Sequence, residues 1–181
     1  VEESLANTAE LADGNDGELA WVALIRGASA HDVGDHATAG ELLPSAVARS
    51  ERLPSGQPLG LALTFLGRLH LLRGEIDEAR RALDRALDEA EARGMTAFVS
   101  WPECFRAELD LVCGDVDRAE ERFEHAFALG CQVGDPCWES IAARGRGLVA
   151  VEPGDVARGL ELLVEAPRLC RRLPDTYLWI E

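Results

Sequence analysis

The sequence predicts an all-α solenoid of helix–turn–helix pairs. Gly34-Asp35, Gly74-Glu75, Gly114-Asp115 and Gly154-Asp155 recur at intervals of 40 residues. Between them, apolar residues follow the 3.6-residue spacing of helices with one covered face. Strand-like stretches are short, such as Ala97-Phe98-Val99, and the repeat register puts that one in a connection or at a helix start.

Other columns share the register. Gly27, Gly67, Ala107 and Gly147 stand seven residues before the marker glycine, and Ala39, Ala79, Ala119 and Gly159 five after it. Ala46, Ala86, Ala126 and Ala166 follow twelve after it, and Ala6 extends that column backwards. Three chance glycine matches to a first would arise at about one in a thousand, so the repeat is real.

Taken in order, a leading helix occupies about 1–13 and closes at Gly14. Four repeats follow at approximately 19–54, 58–94, 99–134 and 138–174, and a tenth helix starts near Tyr177. The second repeat is typical. Leu61 to Leu72 is apolar almost all round, as in a helix covered on several sides. Gly74 breaks it, and helix B then places Ile76, Ala79, Leu83, Ala86, Leu87 and Ala90 on one face. Gly94 closes the unit, as Pro54, Gly134 and Pro174 close the others. The small columns let two antiparallel helices approach closely. We treat residues 1–181 as a single repeat domain. Its first and last helices have no partner in the sequence, and Tyr177, Leu178, Trp179 and Ile180 are apolar, which predicts an excised piece of a longer protein or a dimer contact.

Composition removes several functions. With 33 acidic against 18 basic residues the net charge is −15, which repels phosphate backbones and predicts no direct nucleic-acid contact. Every basic residue is arginine, so neither a phosphate-loop lysine nor a Schiff base is available. No stretch approaches the roughly 18 uninterrupted apolar residues of a membrane span. No secretory leader is visible, and the odd set Cys104, Cys113, Cys131, Cys137 and Cys170 reads as reduced thiols of a cytoplasmic protein.

The columns resemble the tetratricopeptide repeat family on Gly67, Gly74, Ala79 and Ala86, with Leu63 and Leu66 in the apolar helix A places. The period of 40 exceeds that family's 34, and Ala30, His70, Asp110 and Ala150 stand at its helix A tyrosine position. The resemblance implies an α-α superhelix of about four repeats with a flanking helix at each end, binding with its concave face. GDPCWES (134–140), LPDTYLWIE (173–181) and the Ala/Leu/Glu-rich, arginine-only composition are similar to the repeat region of large ATP-binding LuxR-type bacterial transcriptional regulators. That likeness implies the sensing or partner-binding segment of such a protein.

Three groups of residues are candidates for function. His31-Asp32-Val33-Gly34-Asp35-His36 offers metal-ligating side chains, but the position of Asp35 in the shared turn favours a helix cap with exposed histidines, and we expect no metal. On the helix A face, Trp21, Thr64, Arg68, Trp101, Cys104, Glu108 and Arg144 would line a concave groove for a protein or peptide partner or a small-molecule effector. Inter-repeat ion pairing and tryptophan packing compete with that reading. Tyr177, Leu178 and Trp179 would support a homodimer. No catalytic motif is present and no cofactor is expected. The predicted function is a non-catalytic binding module, with a self-association scaffold or a free-standing adaptor as the alternative.

Overall fold

The computed structural model describes residues 16–170. Its helices are α1 (Asp16–Asp32), α2 (His36–Ser50), α3 (Gln57–Leu72), α4 (Ile76–Ala92), α5 (Thr96–Val112), α6 (Val116–Val133), α7 (Pro136–Val151) and α8 (Val156–Cys170). No strand occurs among the described residues, and Ala97 to Val99 lie in the first turn of α5. The helices pair one pair to each predicted repeat. The expected leading helix, the helix near Tyr177, and the self-association residues Tyr177, Leu178 and Trp179 lie outside the described residues.

The chain divides into two compact units, 1–93 and 94–181. In the first, α1 packs on α2 and α3 on α4, while α3 also meets α2 and α1. In the second, α5 packs on α6 and α7 on α8, with α7 meeting α6 and α5. Each unit therefore stacks one helix pair on another.

The marker glycines have a backbone reason. Gly34, Gly74, Gly114 and Gly154 adopt φ of 80°, 73°, 83° and 97°, a left-handed conformation in which a Cβ is costly. At each, the next residue's N–H reaches back to a helix A carbonyl: Asp35 to Ala30 (2.8 Å), Glu75 to His70 (2.9 Å), Asp115 to Asp110 (2.9 Å) and Asp155 to Ala150 (3.1 Å). This is the Schellman closure, and it aims the chain back along the helix it has left.

Three of the four turn acids cap helix B. Asp35 accepts from the Thr38 N–H at 3.1 Å, Asp115 from Arg118 at 3.4 Å and Asp155 from Arg158 at 3.1 Å. The bonds to Thr38 hold the Asp35 carboxyl below the usual carboxylate range. Glu75 is the exception. Its chain is one methylene longer, and its carboxylate sits 2.5 Å from His70 Nδ1 in place of capping α4.

The alanine columns are the floor of the core. Ala39, Ala79, Ala119, Ala46, Ala86 and Ala126 are completely buried. Between them on the same helix faces stand Leu43, Leu83 and Phe123, also completely buried, each contributing roughly 1.5–3 kcal/mol by leaving water. The fit is close at two of the helix A glycines in the repeat column. A Cβ on Gly67 would fall 2.5 Å from Leu83 Cγ, and one on Gly147 would fall 2.8 Å from Leu163 Cγ.

Candidate binding surface

In the first unit, the helix A face is built by α1 and α3. Trp21 is half-buried and packs on the core with Leu61, Phe65 and Leu66. Thr64 is completely buried, and its hydroxyl donates to the Gly60 carbonyl at 2.8 Å, so it works inside its own helix. Arg68 is half-buried. Desolvation pulls its guanidinium pKa down, and the Asp32 carboxylate acts in the opposite direction.

The histidine-rich turn differs from its sequence reading. Asp35 does cap, but His31 is buried rather than exposed, and His36 is half-buried. The His31 ring stands edge-on to Phe65, with centroids 5.7 Å apart, and its Nδ1 lies 3.1 Å from Asp32 Oδ1. His31 occupies the inward side of α1 where it meets α3, a placement that residue type alone does not reveal. Among the described residues, no cluster of three or more His, Cys, Asp or Glu side chains is placed to hold a metal ion.

In the second unit, α5 and α7 carry the equivalent residues. Trp101 is buried, stacked on Trp138 of α7 at 5.2 Å between centroids, with Phe98 and Phe105 edge-on to it. Stacking of this kind joins the third repeat to the fourth. Cys104 is completely buried, and burial pushes its thiol pKa far up, Glu103 adding to the shift and Arg144 opposing it. Such a thiol is a packing group. Glu108 and Arg144, both half-buried, form an ion pair between α5 and α7. Glu108, Arg144 and Trp138 are half-buried and keep solvent contact.

Sequence reasoning missed a charged cluster on α5 and α6. Glu103, Arg106 and Asp110 are all buried, and Arg106 pairs with Asp110. Arg122 Nε donates to Asp110 at 3.0 Å, and His125 Nδ1 lies 2.7 Å from Glu103 Oε2. Burial raises the Glu103 pKa, with His125 and Arg122 pulling the other way. The signal was present: charges at 103, 106 and 110 fall on one side of an otherwise apolar helix.

The tetratricopeptide repeat family model matches residues 18–92. That segment is similar to tetratricopeptide repeats. No curated protein sequence matches the chain. Among solved structures, BtubC (BKLC) from P. vanneervenii superposes with a TM-score of 0.73 at 17% identity, over 96% of this chain and 72% of that one. At that identity the likeness is one of fold. The whole chain thus has a tetratricopeptide-like helical repeat fold, a scaffold that typically binds proteins without catalysing a reaction. No helix among the described residues is long and apolar enough to cross a membrane.

Proposed function

We propose that this chain is a non-catalytic protein-binding module that engages a protein or peptide through the faces of its A helices. The supporting observation is the match of 18–92 to tetratricopeptide repeats, in which α1 and α3 lie side by side carrying Trp21 and Arg68 half-buried. A half-buried tryptophan on α1 and a partly desolvated guanidinium on α3 suit a peptide that brings an apolar side chain and an acidic or carbonyl oxygen. In the second unit, Glu108 and Arg144 would exchange their mutual pair for partner groups. A small-molecule effector in the same place is the narrower version of this reading.

The setting we propose is the sensing segment of a LuxR-type transcriptional regulator in the bacterial cytoplasm, supported by the likeness of residues 134–140 and 173–181 to that repeat region. Reading the coding sequence on both sides tests it: a phosphate-loop motif upstream and a basic helix-turn-helix downstream are expected, and their absence from the gene overturns it. The binding claim is tested by titrating candidate partner domains into wild type and Arg68→Glu. Saturable binding that Arg68→Glu weakens, with unchanged circular dichroism, is the expected result. Binding unaffected by Arg68→Glu and Arg144→Glu together refutes the helix A face. Concentration-dependent mass in light scattering, lost in Trp179→Glu, would instead establish a self-association scaffold.

A further inference from the structure

The third repeat carries charge in columns that are apolar in the others. Glu103 of α5 stands where the other A helices have Ala23, Leu63 and Ala143, all buried. Arg122 of α6 stands where the other B helices have Leu42, Ala82 and Leu162. Glu103 is only 8% exposed, so α5 and α6 close over a carboxyl group rather than over a methyl or a leucine. A buried carboxylate is tolerated when a cation stands beside it and is costly when that cation is withdrawn.

The cations of the cluster are unequally shared. Arg106 pairs with Asp110, and Arg122 Nε donates to the same carboxylate at 3.0 Å. Glu103 has the Arg122 guanidinium at 4.0 Å and the His125 imidazole, whose Nδ1 lies 2.7 Å from its Oε2. From α7, which also packs on α5, Arg144 pairs with Glu108 and Arg146 with Glu124 of α6 (2.6 Å), while Glu139 is buried. The group closest to Glu103 is therefore an imidazole, the side-chain type that gains and loses charge between about pH 5 and 8. The His125 side chain is 58% exposed, so protons reach it from solvent with the helices in place.

We propose that the α5–α6 contact is a pH-sensitive latch, closed while a protonated His125 stands beside Glu103 and loosened when the imidazole is neutral. The sign follows from both partners. Loss of the imidazolium leaves the buried carboxylate with Arg122 at 4.0 Å, a guanidinium already engaged by Asp110. Burial also raises the Glu103 pKa, so the folded chain holds that proton more tightly than the unfolded chain. Stability from this group is complete below the unfolded value of about 4.5 and is lost as pH rises through the folded one. Both effects weaken the third repeat as pH rises. With Ala23, Leu63 or Ala143 at this place, the other repeats have no such dependence there.

Hydrogen exchange of the full 181-residue chain, followed by mass spectrometry at about pH 5.5 and about pH 8, tests the latch. After correction for the intrinsic exchange rate at each pH, protection in α5 and α6 is expected to fall about tenfold at the higher pH, between what exposed and buried pairs are worth. Glu103→Leu, which installs the residue of the second repeat, should keep at the higher pH the protection it has at the lower. His125→Gln retains a donor that cannot be charged, so it should lower protection at the acidic pH toward the alkaline level of wild type. Circular dichroism checks that each variant folds, and Glu103→Gln, which should also lose the pH response, serves where the leucine disturbs the helices. Equal protection of wild-type α5 and α6 at the two pH values overturns the proposal. So does a fall that survives unchanged in Glu103→Leu or Glu103→Gln, because the responding group would then lie elsewhere.

Discussion

Gly67→Ala adds one methyl group at the tightest point between α3 and α4. The new Cβ would lie 2.5 Å from Leu83 Cγ, 2.8 Å from Leu83 Cδ2 and 3.4 Å from the Ala79 carbonyl oxygen. Apolar carbons in contact rest at about 3.5–4.0 Å, so more than an ångström must be recovered by moving helix or side chain. Leu83 has no solvent side to move toward, since it is completely buried. Overpacking of this kind costs about 1–3 kcal/mol. Against it stands the helix-propensity gain of alanine over glycine, about 1 kcal/mol. The clash is severe, and we expect a net loss of about 1–2 kcal/mol. Gly27 is the internal control, because its Cβ would lie 3.0 Å from Leu43 and 3.2 Å from Leu42 Cβ. A relief of roughly half an ångström costs about as much as alanine returns, so Gly27→Ala should fall within about 0.5 kcal/mol of wild type. Urea unfolding followed by far-ultraviolet circular dichroism measures both. A Gly67→Ala protein as stable as wild type, or one less damaged than Gly27→Ala, would refute close helix approach as the reason for the glycine.

Further outcomes follow from single residues. Phe123→Ala should cost about 3–5 kcal/mol, because the ring is completely buried against Gly145 and leaves a cavity; a loss below about 1 kcal/mol in the same urea assay would show that the ring is not in the core. Asp135→Ala should cost about 1 kcal/mol by uncapping the Cys137 and Trp138 N–H groups, while Glu75→Asp should gain a few tenths to about 1 kcal/mol if the shorter acid takes up the cap of α4. Glu103 holds its proton more tightly in the folded than in the unfolded chain. Its contribution to stability is therefore greatest below the unfolded value of about 4.5 and falls as pH rises through the folded value. In Glu103→Gln that component should vanish from the stability–pH curve above 4.5; an unchanged slope would place the carboxyl in water.

The sequence by itself determined the repeat, its turns and the residues that must be small. A left-handed closure favours glycine, an acid after it caps helix B at three of the four turns, and closely packed antiparallel helices favour small side chains, so each left a column of like residues. Gly34, Gly74, Gly114 and Gly154, and the buried alanines beside them, were legible for that reason. The candidate surface was legible only as positions on a face. Trp101 and Trp138 share a stack, Thr64 turns its hydroxyl to its own helix, and Arg144 finds Glu108, all through residues about 4 to 40 places away in the chain. Tertiary structure also decided which charges enter the interior. Asp110 and Arg106 are buried because α5 turns that side away from water and Arg122 of α6 completes the pairing. Exposure is a property of what lies opposite a residue. Periodicity locates the face, and only the packed neighbour says whether it stays open.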